Sequence, residues 1–530
     1  MPNTVDFNGR PFHFIGIGGI GMSALAHILA ERNLPVFGSD IQNSHITERL
    51  QAMGAHIFGS QDASNFDIFK TLKHNWQSMA SVASGNISSE KAPLPIESSI
   101  SNPPELGQQL PQVICSTAIH PENAEYKVAL ELGCPIFHRS DLLAALIAEY
   151  QSIAVAGTHG KTTTSSLMAF MLLKAGLDPT ILVGGEVNAW EGNARVGHGP
   201  YLVAEADESD GSLVKLGAYI GVVTNIELDH PDHYKNLDQL ISTFKIFANQ
   251  CGTIVGCVDC PTLRDYLKPT ISYSINPELD ADYTVDAVQY LADGVIAQVY
   301  ERGEAIGLLK LQLLGSHNLS NALAAVAVGR LLNLEFSVIA QAIAEFPGTK
   351  RRFEYRGNYG GIQFVDDYAH HPSEIRVTLA AARGRLQNSS GLSSTFSEAA
   401  ITPIHPGSEI KRVVAIFQPH RYSRTETLLE DFAQCFGDAD LVMLTEIYSA
   451  GEANPGRING QQLAARIAEN HPHVDYQPSL DAVKTRLCKL LKPGDLVLFL
   501  GAGNLNRVIP EVMAFFQSDD NSGIHPTVGV

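Results

Sequence analysis

Short apolar runs, each followed by a segment with helical periodicity, recur along most of the chain. In the first unit, residues 12–17 are mostly apolar and lead into a glycine-rich segment at 16–21. The next segment repeats apolar residues at helical spacing, and a second apolar run follows at residues 35–38. The residues that share this helical face are Met22, Leu25, Ala26 and Leu29. This order predicts the opening of a parallel βαβ unit that binds a nucleotide.

Two further units have the same character. Apolar runs at 153–156, 201–207 and 220–225 predict a second parallel sheet, and runs at 361–365, 413–417 and 496–500 predict a third. Each unit has a glycine-rich strand end, at the edge where open α/β sheets bind ligands. We therefore predict an α/β protein of three tandem domains, with N- and C-terminal Rossmann-like parallel sheets flanking a central P-loop ATPase-like domain. The predicted domains are residues 1–149, 150–350 and 351–518.

Two segments rich in Ser, Pro and other small polar residues interrupt this pattern. They predict a disordered insertion at 81–109 in the first domain and a second insertion at 388–408 in the third. The last residues, 519–530, are polar and predict a flexible tail.

Composition narrows the class of protein. The chain has 530 residues, 45% of them hydrophobic, with a formal net charge of −19 and no Lys/Arg-rich run. Nucleic acids and anionic membranes need clustered positive charge, so neither is expected as a partner. Since neither a signal peptide pattern nor an apolar run of about 20 residues occurs, we expect a cytoplasmic protein. Nothing in the pattern predicts assembly beyond a monomer or weak dimer.

The seven cysteines are scattered through the chain, which is typical of reduced thiols rather than of a disulfide framework. Cys257 and Cys260 form an isolated CxxC spacing. Without a second pair of ligands, this spacing is weak evidence for zinc.

The segment from Gly157 to Thr164 carries the strongest chemical signal. It lies between an apolar run and a helical pattern at residues 165–174, so it predicts a phosphate-binding loop. Backbone amides would hold the phosphates, Lys161 would add positive charge, and the Thr162 hydroxyl would ligate Mg²⁺. Only two residues separate Gly157 from Gly160, whereas a usual P-loop has four, which disfavours a generic kinase or GTPase. The alternative is a chance Gly-Lys-Thr in a strand–helix turn.

Acidic residues follow two predicted strands of the same domain. Glu205-Ala-Asp-Glu-Ser-Asp210 ends one of them, and Asp229-His230 lies just past the next. Carboxylates at this sheet edge suit Mg²⁺, and we favour Glu205 as a direct ligand and His230 as a site residue. The alternatives are a solvated acidic turn and a structural histidine.

Amide side chains open a later helix, which the apolar pattern predicts at residues 322–332. Asn318 and Asn321 are spaced i, i+3 and share one face, where amides can recognise the edge of an adenine ring. Capping of the helix by Ser316 or Asn318 is an equally good explanation.

Charged residues also follow strands of the third domain. Asp366-Asp-Tyr-Ala-His-His-Pro372 and Gln418-Pro-His-Arg-Tyr-Ser-Arg424 occupy two strand ends. Arg421 and Arg424 are three residues apart, so both can grip a carboxylate or phosphate. Arg351-Arg352 adds positive charge at the junction of the second and third domains.

Together these motifs resemble the Mur ligases, ATP-dependent amide-bond enzymes of bacterial cell-wall synthesis. The resemblance covers nearly the whole chain outside the two insertions and the tail, and the short phosphate loop is the family's form. The motifs that carry it are Gly16-Ile-Gly-Gly-Ile-Gly-Met-Ser23, Gly157-Thr-His-Gly-Lys-Thr-Thr163, Glu205-Ala-Asp-Glu-Ser-Asp210, Thr224-Asn-Ile-Glu-Leu-Asp-His230, Asp366-Asp-Tyr-Ala-His-His-Pro372 and His420-Arg-Tyr-Ser-Arg-Thr425.

Within the family, the motifs fit best the branch that joins L-alanine to UDP-N-acetylmuramate through an acyl phosphate. The resemblance implies ATP and Mg²⁺, and catalytic roles for Lys161, His230 and Arg352. It places ATP on Gly157, Thr158, His159, Gly160, Lys161, Thr162, Thr163, Asn318 and Asn321, and the metal on Thr162, Glu205 and His230. It places the UDP-sugar on Gly18, Gly19, Ile20, Gly21, Ser39, Asp40, Ser116, Thr117 and Ala118, and the amino acid on Tyr368, His370, Arg421 and Arg424.

Four other possibilities stay open at this point. A related ligase attaches a recycled tripeptide to the same UDP-sugar. The first glycine segment and Asp40, about 20 residues further on, also suit an NAD-dependent oxidoreductase. A nucleotide-binding regulator without catalysis is a third possibility. Finally, Lys245 lies near the spacing of a carbamylated lysine that bridges metals in several Mur ligases.

Overall fold

The computed structural model describes residues 4–69, 110–388 and 410–522. Its strands form three separate sheets, of five, ten and six strands within those residues. This confirms the predicted α/β fold with a sheet in each third of the chain. Insertion 81–109, positions 389–408 of the second insertion and positions 523–530 of the predicted tail lie outside the described residues.

The first sheet is entirely parallel, because its short apolar strands are covered by helices. Its strands are β1 (Phe12–Ile15), β2 (Val36–Ser39), β3 (His56–Phe58), β4 (Gln112–Cys115) and β5 (Ile136–His138), in the order β3-β2-β1-β4-β5. Its α-helices are Ile20–Glu31, His45–Ala52, Ala124–Leu132 and Arg139–Ile147, with a 3-10 turn at Ala63–Phe66. The first glycine segment therefore lies at the carboxyl end of the central strand β1.

The second sheet has a parallel centre and antiparallel edges. Its strands are β6 (Gln151–Ala156), β7 (Thr180–Val187), β8 (Gly192–Arg195), β9 (Tyr201–Glu205), β10 (Ile220–Val223), β11 (Thr253–Cys257), β12 (Ile271–Ser274), β13 (Tyr283–Leu291), β14 (Gly294–Glu301) and β15 (Glu304–Leu311). Their order is β15-β14-β13-β12-β11-β10-β6-β9-β7-β8. The α-helices are Lys161–Lys174, Leu237–Gln250, Pro261–Tyr266, Ser316–Leu331 and Phe336–Glu345, with 3-10 turns at Asn188–Trp190 and Ser212–Lys215.

The third sheet is parallel except for its antiparallel edge strand β16. Its strands are β16 (Glu354–Tyr359), β17 (Ile362–Asp367), β18 (Arg412–Phe417), β19 (Leu441–Leu444), β20 (Val474–Tyr476) and β21 (Asp495–Leu500), in the order β16-β17-β21-β18-β19-β20. The α-helices are Pro372–Asn388, Tyr422–Thr427, Leu429–Ala433, Gly460–Ala468, Leu480–Leu490 and Val508–Ser522, with a 3-10 turn at Leu505–Arg507.

Three predicted boundaries were wrong. The helix after the phosphate loop begins at Lys161 rather than at residue 165, and the helix after Gly315 begins at Ser316 rather than at residue 322. Both helices begin with polar residues, so apolar periodicity does not mark their first turns, yet tertiary packing buries Thr162, Thr163, Thr164 and Asn318. The last helix also continues to Ser522, into the segment predicted as a flexible tail. Among the described residues, no helix is both long enough and apolar enough to span a membrane.

Candidate functional site

A cavity of about 1080 Å³ lies where the three domains meet. The first domain contributes its glycine segment, the second its phosphate loop and acidic strand ends, and the third its arginines. Predicted site residues that line it are Gly19, Ile20, Gly21, Ser116, Thr117, Thr158, Gly160, Lys161, Thr162, Glu205, His230, Arg352, Tyr368, His370, Arg421 and Arg424. The fold thus brings together, around one space, motifs that the sequence holds hundreds of residues apart.

The phosphate loop needs both of its glycines. Gly157 has a φ of 137° and Gly160 a φ of 80°, a region that side chains disfavour. A Cβ at Gly157 would collide with Thr224, and one at Gly160 would lie 2.7 Å from Oδ1 of Asn321. Gly160 is also the N-cap of the helix Lys161–Lys174, and no side chain caps that helix. The helix therefore presents its N-terminal amides and dipole to an anion.

Lys161 lies beside this loop in a negative environment. Its Nζ donates to the carbonyl oxygens of Gly157 (2.6 Å) and Thr158 (3.0 Å) and forms an ion pair with Glu208 (2.8 Å). Burial alone would lower the pKa of Lys161, but Glu208, Asp207 and Glu205 outweigh it and the pKa is raised. The lysine is therefore a permanent cation at the phosphate loop.

The predicted metal residues Thr162, Glu205 and His230 all line the interdomain cavity. The Thr162 hydroxyl donates to Oε1 of Glu205 (3.1 Å), and the Gly184 amide donates to Oε2 of the same carboxylate (2.8 Å). Nε2 of His230 is 3.7 Å from Oε1 of Glu208. Burial lowers the pKa of His230, which keeps the imidazole neutral and able to ligate a metal. Hydroxyl, carboxylate and neutral imidazole donors at one edge fit a hard divalent cation.

Sequence reasoning missed two partners in this acidic segment. Glu208, rather than Glu205, is the fully buried carboxylate that pairs with Lys161. Arg139 of the first domain forms ion pairs with Asp207 (2.9 Å) and Asp210 (3.1 Å). A buried position at a strand end could have indicated Glu208, but no local pattern links Arg139 to a segment about 70 residues away.

His159 of the phosphate loop is held by two carboxylates. Its Nε2 lies 2.8 Å from Glu227 and its Nδ1 lies 3.3 Å from Glu374 of the third domain. Burial would lower the pKa of His159, yet these carboxylates raise it to about 9. His159, Glu227 and His371 are close enough to surround a metal ion. With its raised pKa, His159 is a cation in an ion-pair network when no metal is bound.

A second cavity of about 360 Å³ adjoins the phosphate loop and is lined by Asn318 and Asn321. Asn318 donates to the carbonyl of Leu314 (2.8 Å), and Asn321 donates to Oδ1 of Asn318 (3.3 Å). The capping alternative was wrong, because Gly315 is the N-cap and no side chain caps the helix.

Cys257 and Cys260 line the same second cavity. Burial raises the pKa of Cys257 to about 12, so it stays a thiol. In the described part of the chain, neither cysteine belongs to a group of His, Cys, Asp and Glu side chains that could hold a metal. All seven cysteines lie in this part, and no disulfide joins them.

In the first domain, the glycine segment is held by Asp40. Oδ2 of Asp40 accepts the amide of Gly18 (2.9 Å), and Oδ1 accepts the amide of Gln42 (3.0 Å). The Ser39 hydroxyl points into the core, where it donates to the buried Glu125. Ala118, like Gly18, Ser39 and Asp40, is not part of the cavity wall.

Three arginines at the third-domain end of the cavity contact side chains of the second domain. Arg424 forms two hydrogen bonds with Asp229, and Arg421 pairs with Asp232 (2.7 Å), so the two arginines do not share one acceptor. Arg352 lies 3.4 Å from the Thr162 hydroxyl and stacks on Tyr368 (5.1 Å to the ring centre).

Nearby histidines are neutral. Burial lowers the pKa of His370 to about 4 and that of His420 to about 2. Positive charge at this end of the cavity therefore comes from arginines.

Lys245 does not line the interdomain cavity. Its side chain is exposed, and its Nζ lies 5.2 Å from the ring centre of Tyr266. The hypothesis of a carbamylated lysine bridging metals is therefore wrong for this structure.

The second domain supplies a phosphate loop and metal-type donors, and the third supplies an arginine cluster, around one cavity; this arrangement is typical of a nucleotide-dependent ligase. Family models match three stretches: "Mur ligase family, catalytic domain" at residues 11–151, "Mur ligase middle domain" at 155–329, and "Mur ligase, glutamate ligase domain" at 395–503. The chain belongs to the Mur ligase family and is a ligase.

The most informative relatives match over nearly their whole length. UDP-N-acetylmuramate–L-alanine ligase of Nostoc punctiforme is 61% identical over 516 residues, 97% of this chain and 98% of that protein. The enzyme of the same name from Trichodesmium erythraeum is 59% identical over 536 residues, 98% of each chain.

Two solved structures show the same fold. UDP-N-acetylmuramate-alanine ligase MurC of Thermotoga maritima matches with a TM-score of 0.73 and 25% identity, over 96% of this chain and 99% of that one. A murein peptide ligase of Psychrobacter arcticus matches in fold, with a TM-score of 0.63 and 20% identity over 98% of this chain and 100% of that one.

Proposed function

We propose that this chain joins L-alanine to the carboxylate of UDP-N-acetylmuramate, with ATP and Mg²⁺, in the synthesis of peptidoglycan precursors. The sugar carboxylate attacks the γ-phosphorus of ATP, the bond to the β–γ bridging oxygen breaks, and an acyl phosphate and ADP are formed. The amine of alanine then attacks the acyl carbon, the amide forms and phosphate leaves. Two relatives that match over nearly their whole length are both named UDP-N-acetylmuramate–L-alanine ligase, which supports this choice of substrates.

The observation that carries the proposal is the convergence of three domains on one cavity. An acyl phosphate hydrolyses in water, so carboxylate, γ-phosphate and amine must meet in a shielded space. The cavity places the first-domain glycines, Lys161 and the third-domain arginines around such a space.

The residues present fit the phosphates and the metal. The glycines of the phosphate loop let its backbone pack closely against Thr224 and Asn321, where a Cβ at Gly157 or Gly160 would collide, and the helix that follows begins without a side-chain cap. Thr162, Glu205 and His230 would hold Mg²⁺, which neutralises charge on the transferring phosphoryl group when it is bound. Adenine would occupy the adjoining cavity beside Asn318 and Asn321.

The chain's own residues would then stabilise charge and orient the reactants. Lys161 and Arg352, which lies 3.4 Å from the Thr162 hydroxyl, both line the cavity and would stabilise the negative charge that develops on the γ-phosphate. Tyr368, His370 and the nearby arginines would form the alanine site. Because His370 and His420 are neutral, they do not repel the ammonium group of the incoming amino acid.

The other candidates have less support. In an NAD-binding site Asp40 would hold the ribose, but here its oxygens accept the amides of Gly18 and Gln42. A regulator without catalysis would not need Lys161, Thr162, Glu205 and His230 assembled in one cavity. The tripeptide-adding ligase shares the fold, but the high-identity relatives are named as alanine-adding enzymes.

One assay tests the proposal. Phosphate release from ATP is measured with UDP-N-acetylmuramate plus L-alanine, with the tripeptide in place of alanine, and with no amino acid. We expect alanine to give release well above both of the other mixtures. Release with alanine no greater than without an amino acid would overturn the proposal, and faster release with the tripeptide would favour the recycling ligase.

A further inference from the structure

Arg424 and Asp229 form a buried ion pair between the third and second domains. Nε of Arg424 donates to Oδ1 of Asp229 (2.8 Å), and its NH2 group donates to Oδ2 (3.2 Å). The two side chains are 3% and 4% exposed. The pair is therefore shielded from solvent.

The same carboxylate holds the metal-site histidine. Oδ1 of Asp229 accepts the backbone amide of His230 (2.7 Å), and Oδ2 lies 3.6 Å from its Nε2. His230 has a φ of 55°, a left-handed conformation that is unfavourable for a histidine and needs support from its surroundings. Its carbonyl accepts the amide of Tyr234 (2.9 Å), whose hydroxyl donates to the backbone of Glu208 (2.7 Å).

All three nitrogens of the Arg424 guanidinium have partners within the protein. Its Nε and NH2 groups bind Asp229, and its NH1 group lies 3.2 Å from Nδ1 of His420. Because both oxygens of Asp229 accept from this fork, Asp229 is itself poorly placed to ligate a metal.

We propose that Arg424 is a positioning residue that acts through Asp229 to fix His230 in the metal site. The site is then complete only when the third domain is docked on the second. This inference rests on the proposed function for its metal and its reaction. It moves Arg424 from the alanine site to the metal site, while Arg421 stays with the alanine site.

The test compares Arg424→Lys and Asp229→Asn with a matched control. Lysine keeps the charge of Arg424 but loses the planar fork. The control is Arg412→Lys, because Arg412 forks onto the buried Asp495 (2.8 and 2.6 Å) entirely within the third domain. For each variant we would measure the Mg²⁺ concentration for half-maximal phosphate release, the KM for L-alanine, and the Mn²⁺ affinity by electron paramagnetic resonance without substrates.

Loss of an outer partner of a metal ligand typically weakens metal affinity about 10- to 100-fold. We therefore expect Arg424→Lys and Asp229→Asn to raise the Mg²⁺ requirement and the Mn²⁺ dissociation constant about tenfold, with the KM for L-alanine within about twofold of wild type. Arg412→Lys should leave all three values unchanged. A higher KM for alanine with unchanged metal affinity would place Arg424 in the amino-acid site and overturn the inference.

The double variant Asp229→Asn with Arg424→Gln distinguishes a folding defect from a loss of metal affinity, because it leaves no unpaired buried charge. We expect its melting temperature to recover relative to the single variants while its Mn²⁺ affinity stays low. Recovery of metal affinity along with stability would show a purely structural role and overturn the inference. If wild-type protein shows no alanine-dependent phosphate release, the proposed function fails, whereas the Mn²⁺ measurement still decides the role of Arg424.

Discussion

Gly184 offers a direct test of how the candidate metal site is built. This glycine lies in β7, and its amide donates to Oε2 of Glu205 (2.8 Å). A Cβ at Gly184 would lie 2.5 and 2.6 Å from the two carboxylate oxygens of Glu205. Gly184→Ala therefore displaces the candidate metal ligand while leaving every ligand in the sequence.

The size of the effect follows from these distances. Non-bonded contact needs roughly 3.3 Å, so the carboxylate must move by about 0.7–0.8 Å. Mg²⁺ demands nearly ideal octahedral geometry, and a misplacement of about 1 Å in an active site lowers the rate about 100-fold. We expect turnover to fall about 10- to 100-fold, which corresponds to about 1.4–2.7 kcal/mol in the barrier. The clash involves the end of a flexible side chain and Gly184 does not have a positive φ, so the fold should tolerate alanine.

The measurement is phosphate release as a function of Mg²⁺ concentration, together with thermal unfolding. Gly384→Ala is the control, because a Cβ there meets nothing within 4 Å and the position is inside the helix Pro372–Asn388. The control should keep wild-type activity and gain up to about 1 kcal/mol in stability. Wild-type turnover and Mg²⁺ dependence in a folded Gly184→Ala protein would refute the assignment of Glu205 as a metal ligand.

Three further predictions concern the nucleotide side of the site. Lys161→Ala should abolish turnover but leave UDP-N-acetylmuramate binding, measured by calorimetry, nearly intact; equal loss of both would remove Lys161 from its assigned role. Asn318→Ala should raise the KM for ATP several-fold without changing that for the UDP-sugar, whereas an unchanged KM for ATP would place adenine elsewhere. The pKa of His159 is raised to about 9, so its ion pairs stabilise the fold fully below about pH 6.5 and lose this effect as pH rises through 9. In urea unfolding, the free energy of unfolding of His159→Gln should be lower than that of wild type by on the order of 2 kcal/mol near pH 6. This difference should become smaller above about pH 9. A difference that does not depend on pH would contradict the raised pKa of His159.

Features encoded in consecutive residues could be predicted from the sequence. The phosphate loop depends on a strand, two glycines and a helix start, all within about a dozen residues. The three-domain α/β fold follows from apolar runs that alternate with helical segments. The antiparallel strands β13–β15 were not predicted, because each has a half-exposed face and lacks the continuous apolar run that marks a buried parallel strand.

Contacts between domains could not be predicted in the same way. Arg424 and Asp229 are 195 residues apart, and the sequence around Arg424 indicates only that an anion binds there. From the sequence we inferred that this anion is the carboxylate of a substrate, whereas in the structure it is the carboxylate of Asp229. Arg139 likewise meets Asp207, and Glu374 meets His159, across domain boundaries. Each of these pairs joins a residue of the candidate site to a different domain, so the geometry of the candidate site depends on contacts between domains.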